Sequence, residues 1–406
     1  MLTNRAYRYE LDPNNIQRSS LAQHAGVARF AYNWGLEQRI KQYKNNQGDD
    51  RFTDAMKQHK LLNSLKKTEF SWMYETSKCA PQESLRDLHR AFKNFYRGLK
   101  KGQKIGFPRF KRRGIRDNFR LTGTIRFHER AIQLPRIGKI RIKEKRKSYY
   151  NGRILSTTVR RRANRWFVSV TVEEEIKDPQ PVRGAPVGVD LGVKTLATLS
   201  DGSTFANPRA LGRRLRKLRQ LSKSLSRKKK GSKNREKARL RLAKMYLKIF
   251  NIRQDTLHKL TTYLAKSHSE VVIEDLLVSG MMKNRRLARV IQDMGFYEFR
   301  RQLEYKCGWY GSELVVVSRT FPSSKMCSRC GHRKKELSLS ERLYHCEKCG
   351  LKIDRDLNAA LNLVAVSLPE TLNACGEEVR LSTDSLNLER AASVKQEPNI
   401  SSRHNV

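Results

Sequence analysis

The chain has 406 residues, 38% of them hydrophobic, which is enough for two or three domains with filled cores. Lysine and arginine total 85 against 39 acids, a net charge of +46. A body so charged repels itself, so the surplus calls for a polyanionic partner bound through counterion release, in preference to a basic surface kept only for solubility. No run approaches the roughly 18 apolar residues that a membrane span needs, and the N-terminus lacks an apolar signal segment, so the chain is expected in the cytoplasm.

In chain order, residues 1–10 read as a strand that Asp12 and Pro13 end. From Ile16 to about Lys101 the pattern is helical. Leu21, Ala25, Ala28, Tyr32 and Leu36 recur at spacings of three and four, as do Leu85, Leu88, Phe92, Phe95 and Leu99, with a polar loop near Gln47–Asp50. Gly102 to about Asp178 reads as β structure, with turn residues at Gly106 and Pro108 and a hairpin near Asn164. The first strand can join this sheet, which makes the helical block an insertion into a β-barrel. PQPVRGAP, 179–186, reads as a linker.

Beyond it, PVGVDLG is a buried strand, and VKTLATLS and STFAN form a hairpin across Asp201–Gly202. Residues 213–253 carry 18 Lys or Arg and one acid, with leucines at helical spacing, and read as two basic helices broken at Lys230–Gly231. VVIEDL and ELVVVS are further strands around a helix at Phe296–Trp309, and DLNAALNLVAVSL is a closing helix. The polar segment 370–406 reads as a disordered tail.

Four of the seven cysteines stand as Cys327-x2-Cys330 and Cys346-x2-Cys349. Two such pairs at this separation form a zinc ribbon, with Gly331 and Gly350 easing each turn. Four thiolates leave no open position, so the zinc is structural. Cys79, Cys307 and Cys375 read as reduced thiols.

Three acids sit among apolar residues or at element ends: Asp190 in PVGVDLG, Glu274 after VVI, and Asp356 at the start of the last helix. Three carboxylates holding two Mg²⁺ ions are the apparatus of phosphodiester hydrolysis. Each acid also has an ordinary reading, as a strand end, a rim charge or a helix cap. Asp275 and Asp354 are close rivals for the second and third positions. The order of acids and elements is that of an RNase-H-like nuclease.

At these residues the chain resembles the TnpB family, transposon-encoded relatives of type V CRISPR nucleases. LDPNNIQRSSLAQHAGVARFAYNWGL, GFPRFK, GVDLGVKTLAT, VIEDL, FPSSKMCSRCG, YHCEKCG and DRDLNAALN carry the resemblance, in order and over nearly the whole length. It implies an α+β multidomain architecture. A β-barrel wedge domain (1–10 and 102–178) carries a helical recognition lobe (11–101), and a RuvC-like nuclease domain (187–320 and 350–369) contains the ribbon (321–349). It implies an RNA-guided DNA endonuclease of a prokaryotic cell, a monomer on one guide RNA from the transposon end, cutting double-stranded DNA beside a short adjacent motif.

Carried over by position, Asp190, Glu274 and Asp356 are the catalytic acids, the third being two residues before the Asn-Ala-Ala. Lys78 and Gln82 fall where such a lobe approaches the adjacent-motif duplex. Their residue types suit major-groove readout, though two exposed polar residues on a helix is an equal reading. Arg213, Arg214, Arg216 and Lys217 open a basic segment that fits a channel for RNA or heteroduplex. Phe95, Tyr96 and Trp166 can stack on bases, with core packing the better reading for most aromatics. The competing readings are a DDE-type transposase, which would join DNA ends, and a non-catalytic nucleic-acid-binding regulator.

Overall fold

The computed structural model describes residues 2–44, 54–115, 117–144, 152–338, 341–367 and 389–390. The expected loop at 47–50, Cys375 and all of the expected tail except 389–390 lie outside these. The chain divides into two compact units, Met1–Lys177 and Asp178–Val406.

The first unit starts with β1 (Leu2–Asp12), then α1 (Asn15–Lys44), α2 (Ala55–Leu65), a 3₁₀ turn at Ser71–Glu75 and α3 (Cys79–Lys100). Six strands follow: β2 (Asn118–Leu121), β3 (Arg126–His128), β4 (Ala131–Leu134), β5 (Gly138–Ile142), β6 (Gly152–Arg162) and β7 (Arg165–Glu175). The sheet order is β2-β6-β7-β1-β5-β4-β3, so the first strand does pair with the later ones and the helices are inserted after it. Among the described residues no ladder joins β2 to β3, which a closed barrel would need.

Ala163 and Asn164 both take positive φ, +47° and +66°, the conformation that a two-residue turn needs to match strand twist. The α1 residues at helical spacing are all buried, from Leu21 to Leu36. Leu85, Leu88 and Phe92 of α3 are buried too, but the expected stripe then fails. Phe95 is half-buried and Leu99 is 53% exposed, because nothing of the core extends under the last turns of α3.

The second unit contains β8 (Val187–Asp190), β9 (Thr195–Leu199), β10 (Thr204–Ala206), α4 (Leu215–Ser226), α5 (Lys233–Ser267) and β11 (Glu270–Glu274). Then come α6 (Val278–Met281), α7 (Ala288–Met294), α8 (Phe296–Tyr310), β12 (Glu313–Val317), β13 (Leu343–His345), β14 (Lys352–Asp354), α9 (Arg355–Ser367) and β15 (Glu389–Arg390). Residues 179–186 do not hang free: Val182 N–H donates to the Gly311 carbonyl and Ser269 N–H to that of Gly184.

The main sheet has the order β10-β9-β8-β11-β12-β15, with β8, β11 and β12 parallel and β9 antiparallel to its neighbours. Side chains alternate across a strand. Val187, Val189, Val271 and Ile273 therefore pack with Leu260, Leu264, Phe299 and Leu303 of α5 and α8. Val272 faces the other way, towards Leu363 of α9. The two basic helices pack on each other through Leu218, Ile249, Leu242 and Met245. No helix among the described residues is long and apolar enough to cross a membrane.

Candidate active site and metal centre

The alternation that buries Val187 and Val189 puts Gly188 and Asp190 on the opposite, α9 face of β8. On β11 the same parity groups Glu274 with Val272. The parallel register matches Val272 with Gly188 and Ile273 with Val189, so its next step sets Glu274 against Asp190. Both acids thus stand at the carboxyl ends of adjacent parallel strands.

Asp356 is brought in by a close approach. A Cβ on Gly188 would lie 2.0 Å from the Ala360 carbonyl and 2.9 Å from the Val364 nitrogen, so only glycine lets α9 lie on β8. At Gly192, just past the strand, a Cβ would lie 3.8 Å from Asp356 Oδ2. Electrostatics agree with this placement. Burial, reinforced by the Asp356 and Glu274 carboxylates and opposed by Arg355, pushes Asp190 up to about 7. Burial, and then Asp275, raise Glu274 as well. Crowded, desolvated carboxylates are a donor set suited to a hard divalent cation, which would relieve their repulsion.

The rivals are occupied elsewhere. Asp354 caps α9, its Oδ1 accepting from the Asp356 and Leu357 amides at 2.9 and 3.2 Å. Asp275 is held by Arg300 Nη1 at 2.5 Å and by Arg319 Nε at 3.1 Å. Burial would raise Asp275, but these two guanidiniums outweigh it and hold the carboxyl below its usual range. A cavity of about 440 Å³ opens beside Glu274, walled by Leu191, Leu277, Tyr297 and Arg300.

The four cysteine sulfurs converge within 4.8 Å of one another, with Cys327 and Cys349 at 3.6 Å and Cys330 and Cys346 at 3.5 Å. Four thiolates at ~2.3 Å from a zinc ion have edges of about this length, so the donors fit. Gly331 and Gly350 take positive φ, +69° and +72°, and donate to the Cys327 and Cys346 carbonyls, each at 3.0 Å. Cys79 and Cys307 are buried, free thiols.

What the sequence reading missed is how the cysteine knuckle holds the helix that carries Asp356. Asn358 accepts from the Ser328 amide at 2.9 Å and donates to the Met326 carbonyl at 2.6 Å. Asn362, one turn on, donates to the Ser323 and Met326 carbonyls, both at 2.7 Å. Two amides four residues apart in an apolar helix were the available signal.

The expected nucleic-acid contacts fall on both units. Lys78 is exposed at the start of α3, and Gln82 is half-buried one turn later. In the second unit Arg213, Arg216 and Lys217 are exposed, while Arg214 is half-buried and donates to the Ala210 carbonyl at 3.2 Å. Trp166 is core, at 4% exposure.

Fold and site together define a carboxylate-centred α/β unit whose last acidic helix is clasped by a four-cysteine knuckle. Family models match in three places: "Probable transposase" (OrfB_IS605) over 167–285, "Cas12f1-like, TNB domain" over 296–363 and "Helix-turn-helix domain" (HTH_OrfB_IS605) over 1–48. Within 1–48 the described chain forms one strand and one long helix.

A Streptomyces pristinaespiralis protein named "Putative RNA-guided DNA endonuclease" is 38% identical, covering 97% of this chain and 96% of its own length. Its Escherichia coli (strain K12) counterpart, "Putative RNA-guided DNA endonuclease InsQ", is 34% identical over 92% and 94%. "TnpB-like protein L79" of Acanthamoeba polyphaga mimivirus is 32% identical over 34% of this chain and 27% of its own. The solved structure of the mini-RNA-guided endonuclease CRISPR-Cas_phi3 aligns with 90% of this chain and 92% of its own at 9% identity. Its TM-score of 0.43 is too low to establish a shared fold. The chain belongs to the TnpB family.

Proposed function

We propose that the protein is an RNA-guided DNA endonuclease in which Asp190, Glu274 and Asp356 form a RuvC-like hydrolytic centre. The observation that carries this reading is the buried Asp190 at the end of β8, near enough to Asp356 and Glu274 for both carboxylates to raise it. The strand order β10-β9-β8-β11-β12, with β9 alone reversed among the five, supports an RNase-H-like core. The names of the Streptomyces and Escherichia relatives support guidance by RNA. The net charge of +46 supports a partner that is itself a polyanion.

Asp190, Glu274 and Asp356 would hold two Mg²⁺ ions, which activate water and stabilise the leaving oxygen during in-line displacement at phosphorus. The chain's own part is to pre-position these acids. Gly188 admits α9, Asp354 fixes its first turn, and Asn358 and Asn362 tie it to the knuckle. Burial and its neighbouring carboxylates hold Asp190 up at about 7, and a bound cation would favour its ionised form. The four cysteines would hold one structural zinc, with no position left for catalysis.

The further parts of the reading are a guide RNA from the transposon end, one protein per RNA and a cytoplasmic setting. Lys78 and Gln82 would meet the adjacent-motif duplex, and Arg213, Arg214, Arg216 and Lys217 would line the nucleic-acid channel. A protein that delegates sequence reading to base pairing needs many cations along the backbone and few base readers.

The test is to express the full chain with its flanking transposon DNA and sequence the RNA that co-purifies. The complex is then challenged with DNA matching that RNA. A defined transposon-end RNA, and cleavage that Asp190→Ala abolishes while RNA remains bound, are expected. Bulk cellular RNA, or joining of a pre-cut transposon end in place of hydrolysis, would overturn the reading.

A further inference from the structure

The stripe on α3 that fails to enter the core ends in a surface of rings and cations. Between Asp87 and Asp117 the sequence has eleven Lys or Arg, five aromatic residues and no acid. Tyr96 is 55% exposed, Phe107 47% and Phe110 51%, an apolar surface that is costly to leave in water. Among the described residues no ion pair engages Lys100, Lys104, Arg109, Arg112 or Arg113.

The surface is built, not frayed. The segment after α3 has no regular structure, yet it is pinned at both ends. Gln103 N–H donates to the Gly98 carbonyl at 2.9 Å, and Ile105 sits where a Cβ on Gly98 would be, 2.2 Å from Ile105 Cδ1. At the other end Asn33 and Lys111 exchange two hydrogen bonds, at 3.0 and 2.8 Å. Phe107 is seated edge-on against Phe92 and Phe95, each with centroids 5.4 Å apart. Tyr96 packs on the same pair, with centroids 6.1 Å from Phe92 and 5.4 Å from Phe95, and keeps its outer part exposed, as does Phe110.

We infer that Tyr96 and Phe110, with Arg109, Arg112 and Arg113, form a platform for unpaired bases of the RNA that the protein carries. This rests on the RNA-guided reading above. Exposed rings stack on bases of any sequence, and flanking cations hold the backbone; duplex bases have no free faces to offer. The RNA is favoured over the DNA because a permanent apolar surface is best covered by a resident partner, and DNA is met only in passing.

The test uses the full-length complex from cells expressing the protein with its transposon DNA and fed 4-thiouridine. After long-wave ultraviolet irradiation and digestion, uridine adducts are expected on peptides containing Tyr96 or Phe110. They should be lost in Tyr96→Ala/Phe110→Ala and regained in Phe110→Trp. In high salt, where charge is screened, RNA should leave the double variant faster by roughly tenfold for each ring removed. Arg109→Ala/Arg112→Ala should matter only at low salt. Both rings are exposed, so unchanged thermal unfolding is expected.

RNA adducts confined to other peptides would overturn the platform while leaving the guided-nuclease reading intact. Adducts to these rings from 4-thiothymidine in target DNA, with none from RNA, would also overturn it. Absence of any co-purifying RNA would overturn both.

Discussion

Asn358 of the last helix and Ser328 of the cysteine knuckle share a hydrogen bond of 2.9 Å, with the Asn358 amide turned back to the Met326 carbonyl. The knuckle therefore sets the position of the helix whose first turn carries Asp356. If the knuckle holds zinc and Asp356 belongs to the proposed site, a metal with no open position would still act on the chemistry by holding one of its carboxylates.

Asn358→Ala is therefore expected to act in two ways. It orphans the Ser328 amide, at a cost of about 2 kcal/mol in unfolding free energy measured with urea. It also lowers single-turnover cleavage without releasing bound RNA. Removing zinc with a chelator should reproduce the loss of cleavage and make residues near the knuckle sensitive to protease. Full activity without zinc would contradict the link.

Gly188→Ala should be worse for activity than its single methyl suggests. The new Cβ meets the Ala360 carbonyl and the Val364 nitrogen, backbone atoms that cannot rotate aside. The helix must shift, and Asp356 moves with it. A displacement of about 1 Å costs on the order of a hundredfold in rate. Single-turnover cleavage of matched DNA is the measurement, with RNA binding as the control for folding.

The pH dependence of the metal-free protein follows from Asp190. Its folded value, about 7, lies above the ordinary 3.8, so the folded state binds the extra proton between those values. That stabilisation is complete below about 4 and is lost as pH rises through about 7. Asp190→Asn removes the dependence and should raise the melting temperature of the metal-free protein at pH ~8 but not at pH ~4. Mg²⁺ should raise the wild-type melting temperature at pH ~8 and leave that of Asp190→Asn nearly unchanged. Equal responses of the two proteins would mean that Asp190 is not a cation ligand.

Asp293 anchors the basic helices. Its carboxylate accepts from the Leu211 amide at 2.9 Å, from the Gly212 amide at 3.3 Å and from Arg253 Nε at 2.7 Å. Asp293→Ala should cost about 2 kcal/mol by calorimetry or urea, since a half-buried cation and two amides lose their acceptor. Asp293→Asn should recover part of this.

The sequence by itself determined the longer helices, most strands and the chemistry available to them. The spacing of apolar residues marked α1, α4 and α5, because one helical face must be buried. Two Cys-x2-Cys pairs specified a tetrathiolate site, since ligand type and spacing suffice for that. The acids were legible as expensive residues beside buried strands. Only the tertiary structure gave the neighbouring acids their partners.

Asp275 is taken by Arg300 and Arg319, 25 and 44 residues away, which favours Glu274 for the proposed site. Asp354 is spent on the helix amides, which favours Asp356 for that site although Asp356 also pairs with Arg355 at 3.6 Å. Phe95 and Leu99 continue the core periodicity of α3 yet lie at its edge and beyond it, because a period records which face a residue shares and not whether anything packs against it. Partners distant in sequence leave no local pattern, so which of two adjacent carboxylates is ion-paired, and which ring is core or surface, is set by packing.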